Sequence, residues 1–213
     1  MKKFLLHPFL IVSAILLVDQ SVKIWIKLNM YLGQEFPVFG NWFIIHFTEN
    51  NGMAFGLEFG NEWGKLILSL FRIIAIGALT WYLIRIYKQK APRGVVICIS
   101  MILAGAIGNV LDSLFYGMIF SDSYGNLATL FPDGGGYSSF LYGKVVDMLF
   151  FPLIEGFLPL WVPIWGGEYF VFFRPVFNIA DSSISIGVIS LIIFYRQFFR
   201  DENRIETTVS DLS

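Results

Sequence analysis

Apolar residues dominate four long stretches of the chain, and polar residues separate them. The four stretches cover approximately residues 4–25, 66–86, 95–115 and 177–199. A helix rises about 1.5 Å per residue, so about 20 residues are enough to cross the roughly 30 Å hydrocarbon layer of a bilayer. The pattern therefore predicts an all-α polytopic membrane protein with four transmembrane helices.

Two longer segments, roughly residues 24–65 and 116–176, separate these helices. The first contains an alternating run at 42–47, which favours short strands and predicts a small antiparallel sheet at the membrane surface. The second forms a long loop between the third and fourth helices. It has a turn-rich part at 121–139 and an apolar part at 150–165, where prolines argue against a fifth span and tryptophans favour the membrane interface.

Basic residues define the orientation, because cytoplasmic loops are enriched in Lys and Arg. They cluster beside one end of the predicted helices: Lys2, Lys3, Arg85, Lys88, Lys90, Arg93, Arg196, Arg200 and Arg204. Both termini are therefore expected in the cytoplasm, and the two long segments on the outer side.

Composition agrees with a membrane protein: 56% of the 213 residues are hydrophobic and 15% are charged. We expect one membrane-embedded domain over residues 1–200 and a polar cytoplasmic tail over 201–213. The net charge of −1 provides no basic surface for nucleic acid, so none is expected as a partner. A single cysteine, Cys98, excludes an internal disulfide.

Polar pairs stand at the outer ends of three predicted helices, each on one helical face. They are Asp19 with Lys23, Asn109 with Asp112, and Asn178 with Asp181. A carboxylate near lipid is costly, so it normally faces the protein interior or a wet cavity and has a partner. A plain ion pair explains the first as well as a functional role does. Two Asn and Asp pairs at one membrane depth favour a site.

Asp147 lies outside the predicted helices, after two valines and before an apolar run. Alone, such a residue usually belongs to a capped turn. Near Asp181 it would form a carboxylate pair in which one member keeps a proton at neutral pH. Aspartic peptidases use such a pair: one carboxylate takes a proton from water, and the other donates one to the scissile carbonyl.

Other peptidase chemistries have less support in the sequence. There is no H-E-x-x-H motif, and the two histidines, His7 and His46, are far apart, so neither a metal nor another cofactor is expected. A serine protease would need a histidine in a later helix. The hydroxyls of Ser182, Ser183 and Ser185 are therefore interpreted as helix-packing or back-bonding groups.

With these residues in view, the chain resembles the lipoprotein signal peptidases, or signal peptidase II. Five blocks in the family's order provide the resemblance. They are D-Q-x-x-K at 19–23, N-x-G-x-A-F at 50–55, G-x-x-G-N-x-x-D at 105–112, V-V-D at 145–147 and F-N-x-A-D at 177–181. Each block alone is weak, but five in order span nearly the whole chain.

The resemblance implies an aspartic endopeptidase of the bacterial inner membrane, with Asp147 and Asp181 as its catalytic pair near the outer face. The implied substrate is a prolipoprotein whose cysteine already carries diacylglycerol, and the cut falls just before that cysteine. Membrane lipid is the other expected partner, and the protein is expected to be a monomer. The matching blocks suggest substrate-binding or supporting roles for Asp19, Lys23, Asn50, Gly52, Gly108, Asn109, Asp112, Asn178 and Ala180.

The chain departs from the family pattern in two ways. Ser113 stands where the family usually has Arg, whose contacts could be met by Arg174 or Lys144. The segments that join Asp112 to Asp147 and Asp147 to Asp181 are also longer than is common in the family.

Two alternative functions are considered. A small proton- or cation-coupled transporter using Asp19, Asp112 and Asp181 is the main one, although its acids should be spread through the membrane depth. A structural subunit is the other, and it would tolerate Asn at position 147.

Overall fold

The structure is a computed structural model that describes residues 7–51, 62–172, 175–196 and 198. The helices are α1 (Pro8–Asn29), α2 (Glu62–Lys88), α3 (Arg93–Leu111), the short α4 (Gly117–Ile119) and α5 (Ile179–Phe194), with a π-helical turn at Asp112–Tyr116 between α3 and α4. The strands are β1 (Glu35–Phe39), β2 (Phe43–Asn50), β3 (Val145–Phe150), β4 (Ile154–Phe157) and β5 (Tyr169–Phe172).

Three helical segments of the described chain are long and apolar enough to cross a bilayer: Pro8–Asn29, Gly64–Lys88 and Arg93–Ile119. They overlap the first three predicted spans. The fourth predicted span, 177–199, overlaps α5, a shorter apolar helix of 16 residues. Large apolar side chains such as Ile74 on α2 and Phe194 on α5 are exposed, as expected for surfaces that face lipid.

Helix α3 packs against α1, α2 and α5. Glycines make the closest approaches possible, as the small residues of α3 predict. A Cβ atom at Gly105 would collide with the carbonyl of Ala180, and one at Gly108 would lie 2.8 Å from an oxygen of Asp19. These glycines therefore bring the polar ends of α1 and α5 together around α3.

Strands β1, β2 and β3 form an antiparallel sheet in that order. Its first two strands come from the first long segment, as predicted, but β3 comes from the second and adds an unpredicted strand. The register pairs Thr48 with Asp147 and Asn50 with Val145. Asp147 therefore lies within a strand rather than in the capped turn that such a residue usually occupies. Its neighbours Val145 and Val146 are β-branched and buried, which favours the strand.

A second antiparallel pair, β4 and β5, forms a hairpin within the apolar part of the second segment. Its register pairs Ile154 with Phe172 and Phe157 with Tyr169. The strands were not predicted because prolines interrupt this stretch, and Pro159 and Pro163 fall in the connection between them. A proline cannot donate a ladder hydrogen bond, so it is tolerated there more easily than within a strand.

Candidate active site

Asp147 is held in β3 by two amide side chains from neighbouring elements. Its carboxylate is 2% exposed. One oxygen accepts a hydrogen bond of 2.7 Å from Asn50 Nδ2 of β2, and the other accepts one of 2.7 Å from Asn178 Nδ2 at the start of α5. Both oxygens are thus fixed in direction.

Asp181 lies in the first turn of α5, where its backbone and side chain form a capping box with Asn178. The N–H of Asp181 donates to Asn178 Oδ1 at 2.9 Å, and the N–H of Asn178 donates to Asp181 Oδ2 at 3.3 Å. The other carboxylate oxygen accepts a hydrogen bond of 2.7 Å from Asn109 Nδ2 of α3. The F-N-x-A-D block therefore begins a helix and aims a carboxylate with the same residues.

Asn178 lies between the two carboxylates. Its side chain is fully buried. Besides contacting both aspartates, its Nδ2 group lies 3.0 Å from Asn109 Oδ1 and 3.3 Å from the carbonyl of Val146. The sequence predicts a supporting role for this residue, and the contacts make it the direct link between Asp147, Asp181 and α3.

Burial and the nearby negative charge of Asp181 raise the pKa of Asp147 to about 7. The hydrogen bonds from Asn50 and Asn178 act in the opposite direction because they stabilise the ionised form, but they do not overcome burial. Near neutral pH this carboxyl group is therefore protonated in a large share of the molecules. A protonated acid beside a second carboxylate is the arrangement that acid and base chemistry requires.

A buried ion cluster supports the pair through Asn109. Lys23 Nζ lies 3.0 Å from Asp19 and 2.8 Å from Asp112, and it donates to Asn109 Oδ1 at 3.0 Å. Asp19, Lys23 and Asp112 are each at most 1% exposed. The predicted pairing of Asp19 with Lys23 on one helical face is thus present, and Lys23 additionally links α1 to α3.

The two supporting carboxylates also hold the backbone next to each member of the pair. Asp112 accepts a hydrogen bond of 3.2 Å from the N–H of Val146, the residue before Asp147. Asp19 accepts one of 2.9 Å from the N–H of Ala180, the residue before Asp181. Each candidate catalytic residue is therefore positioned through both its side chain and its preceding peptide.

Gln20 is a member of this cluster that the residue predictions missed. Its Nε2 donates to the carbonyl of Gly108 at 3.2 Å and to Asp112 Oδ1 at 2.9 Å, and its Oε1 accepts from the Tyr116 hydroxyl at 3.2 Å. Its place directly after Asp19 in the D-Q-x-x-K block was the available signal. Gly52, a predicted site residue of the N-x-G-x-A-F block, lies outside the described residues.

Lys144, one of the two candidates to replace a family arginine at position 113, places its ammonium 3.3 Å from Glu49. Arg174, the other candidate, lies outside the described residues. Ser113 itself donates to the carbonyl of Asn109 at 3.2 Å. Arg72 of α2 interacts electrostatically with Asp181, which the sequence alone did not indicate.

All three serines at the head of α5 were predicted to be packing or back-bonding groups, and two of them make such contacts. Ser182 Oγ donates to the carbonyl of Asn178 within its own helix at 2.9 Å. Ser183 Oγ donates to the carbonyl of Met101 on α3 at 2.8 Å. Ser185 is exposed.

A second buried ion cluster anchors the 121–139 segment beside the site. Lys27 Nζ lies 2.6 Å from Glu49 and donates to Ser123 Oγ at 2.8 Å. The same ammonium lies 4.9 Å from the ring centroid of Tyr137. Glu49 directly precedes Asn50, so this anchor lies next to a residue that holds Asp147.

We expect Glu49→Gln to loosen the 121–139 segment, because it removes the carboxylate that pairs directly with the fully buried ammonium of Lys27. Removal of one partner from a buried pair typically costs about 3–5 kcal/mol. The matched control is Lys144→Met, since that ammonium is 34% exposed and its pair with Glu49 should contribute about 1 kcal/mol or less. Hydrogen exchange in detergent should rise across 121–139 in the first variant only. Equal exchange in both would contradict the anchoring role.

Comparison with known proteins identifies the family. The profile described as Signal peptidase (SPase) II matches residues 11–197. The lipoprotein signal peptidase of Porphyromonas gingivalis is 54% identical over 186 residues, which cover 87% of this chain and 80% of that protein. The lipoprotein signal peptidase of Amoebophilus asiaticus is 39% identical over 179 residues, with 83% and 72% covered.

A solved structure supports the same assignment at the level of the fold. It is described as a bacterial membrane enzyme determined by the in meso method at 2.3 Å resolution. It shares 26% sequence identity with this chain, and the two superimpose with a TM-score of 0.56. The match covers 94% of this chain and 92% of the solved chain. Together with the profile match over most of the sequence, these relationships show that the chain belongs to the signal peptidase II family.

Proposed function

We propose that Asp147 and Asp181 are the catalytic carboxylates of this enzyme. As a member of the signal peptidase II family, the protein is an aspartic peptidase that removes signal peptides from lipoprotein precursors. The observation that supports the residue assignment is that Asn178 contacts both carboxylates, which come from different elements. The ion pairs of Lys23 with Asp19 and Asp112 argue against the transporter alternative, because both acids already share a buried ammonium as their partner.

In the proposed mechanism Asp147 is the acid and Asp181 the base of the first step. Asp181 takes a proton from a water molecule while the water oxygen attacks the scissile carbonyl. Asp147 donates its proton to the carbonyl oxygen, which gives a tetrahedral intermediate. The intermediate then collapses as the proton held by Asp181 moves to the leaving nitrogen and Asp147 recovers its own. Asn50 and Asn109 keep the carboxylates in place, and Asn178 keeps them together.

The raised pKa of Asp147 predicts that activity falls as the pH increases through about 7, because the acid loses its proton. The free energy of unfolding should also decrease as pH rises from 3.8, the ordinary value, towards that pKa, since the folded protein binds this proton more tightly than the unfolded chain does. Profiles of kcat/KM against pH test the first statement. Asn50→Ala, which removes a hydrogen bond to the ionised form, should move the alkaline limb upward. A downward shift would contradict the assignment of this limb to Asp147.

We further propose that the substrate's cysteine carries diacylglycerol when it is cut, and that the cut lies just before it. The support is the family resemblance together with the location of the pair beside helices whose apolar surfaces are exposed. Incubation of the purified protein with matched modified and unmodified precursors tests this. Only the modified precursor should be shortened, and equal cleavage of both would overturn the lipid requirement.

The proposed topology has α5 as the fourth span, both termini in the cytoplasm, and the aspartate pair near the outer face of the inner membrane. Residues 1–200 form one domain in this arrangement, residues 201–213 form a cytoplasmic tail, and the protein is a monomer. Its support is the basic residues Arg85 and Lys88 in the last turn of α2, at the cytoplasmic end in this topology. Reporter fusions at the two termini should both report the cytoplasm.

A further inference from the structure

In the sequence, the β4–β5 hairpin lies between Asp147 and Asp181. It follows Asp147 by a few residues and ends shortly before Asp181. Its neck is closed by a backbone bridge between Leu149 and Phe177: the N–H of Leu149 donates to Phe177 at 2.7 Å, and the N–H of Phe177 donates back at 3.1 Å. Phe177 adjoins Asn178, so the hairpin is joined at its base to the residues that hold the site.

The tip of the hairpin has no charged residue between positions 156 and 167. Four of its large apolar side chains are strongly exposed: Phe157 at 76%, Leu160 at 88%, Trp161 at 81% and Ile164 at 89%. A contiguous apolar patch of this kind is uncommon on a surface that faces water. Two tryptophans, Trp161 and Trp165, lie within it, and tryptophan is enriched at membrane interfaces.

The tip is nevertheless ordered by its own backbone hydrogen bonds. The N–H of Leu158 donates to Glu168 at 2.9 Å, and the N–H of Gly167 donates to Leu158 at 2.9 Å. The N–H of Gly166 donates to Val162 at 3.0 Å. With these backbone groups satisfied, the loop can present its apolar side chains outward and enter an apolar environment without leaving those donors unpaired.

We propose that the tip of the β4–β5 hairpin inserts into the outer lipid leaflet and so sets the depth of the aspartate pair relative to the lipid layer. The occupant is lipid because the rest of this chain is already a membrane protein and residues 156–167 carry no charge that would oppose insertion. The depth function rests on the proposed catalytic pair and lipid-anchored substrate. A substrate held in the same leaflet would then meet the carboxylates at a fixed height.

Insertion can be measured with a fluorophore in the full chain in nanodiscs. Cys98→Ser removes the natural thiol, and Leu160→Cys provides an attachment point for an environment-sensitive dye at the tip. The control is Asn126→Cys in the same background, on an exposed position of the 121–139 segment. Nitroxides on the lipid acyl chains should quench the dye at 160 at least about twice as strongly as at 126.

Equal quenching at the two positions would overturn insertion. Quenching at 160 that requires added precursor, or a dye environment that changes with protein concentration, would also overturn it and indicate the signal peptide or a second copy instead. This measurement does not depend on Asp147 or Asp181. It can therefore fail or succeed independently of the catalytic assignment.

The depth function is tested by activity in bilayers. Leu160→Asp combined with Ile164→Asp should lower kcat/KM on the modified precursor at least about tenfold in nanodiscs and much less in detergent micelles, where no leaflet fixes the height. Leu160→Met combined with Ile164→Val is the matched apolar control and should retain activity in both. Full activity of the acidic variant in nanodiscs would overturn the depth function. An equal loss in nanodiscs and micelles would do the same and assign the effect to folding.

Discussion

Replacement of Asp147 or Asp181 by Asn should abolish signal-peptide cleavage. Asn preserves the size and planarity of the side chain but can neither accept the proton of water nor deliver one to the carbonyl. Proton transfer by a positioned side chain contributes about 10²- to 10⁴-fold to a rate, and the proposed mechanism needs both carboxylates in one step. We therefore expect kcat/KM on a diacylglyceryl-modified precursor to fall by at least about 10³-fold in each variant.

The folded state should survive these substitutions. In Asp147→Asn one of the two donors, from Asn50 or Asn178, loses its acceptor, which typically costs about 1–3 kcal/mol. Asp122→Asn is the control because that carboxylate accepts a hydrogen bond from the Tyr124 backbone within the 121–139 segment. It should cleave at the wild-type rate. Substantial turnover by either variant of the pair would move the active site elsewhere.

Replacement of Lys23 by Met should cause a large loss of stability. The ammonium lies 3.0 Å from Asp19 and 2.8 Å from Asp112, and none of the three groups has appreciable contact with solvent. Without Lys23, two buried carboxylates lose their counter-charge, and a loss of this type typically costs about 3–5 kcal/mol. Unfolding in a mild detergent measures the effect. Activity should fall as well, because the same carboxylates hold the peptides before Asp147 and Asp181.

Two comparisons distinguish this from a general effect of substitution. Lys88→Met, at an exposed position near the end of α2, should change stability by less than about 0.5 kcal/mol. Asp112→Asn added to Lys23→Met should cost less than the sum of the two single changes, since it removes one of the unpaired charges. If Lys23→Met were as stable as Lys88→Met, the buried ion cluster would not support the site.

The parts of this architecture that depend on local pattern could be predicted from sequence. Long apolar runs identify membrane helices because lipid tolerates few charges, and three of the four predicted spans overlap helices of sufficient length. The spacing of Asn178 and Asp181 predicts that their side chains share a helical face. The spacing of Asn109 and Asp112 places a second polar pair at the same level, and the structure brings Asn109 into contact with Asp181.

The parts that depend on distant contacts could not be predicted in this way. Strand β3 pairs with β2 across roughly a hundred residues, as the contact of Asn50 with Asp147 illustrates. A single carboxylate between apolar residues does not reveal such a partner. Lys27 likewise reads as the basic end of a helix until the fold brings Glu49 and Ser123 to it. The β4–β5 hairpin was not predicted, because the prolines of this stretch argue against strand when each residue is considered separately.

In the proposed mechanism two carboxylates direct a water molecule onto the scissile carbonyl, without a covalent intermediate or a metal. Single-turnover cleavage of a diacylglyceryl-modified precursor by the chelator-treated enzyme, in the presence of hydroxylamine, tests it most directly. Mass spectrometry of the released signal peptide should find a free carboxylate ending just before the modified cysteine, with the rate unchanged by the chelator. A peptide hydroxamate, which reports a trapped acyl-enzyme, or activity that is lost on chelation and restored by zinc, would contradict this mechanism.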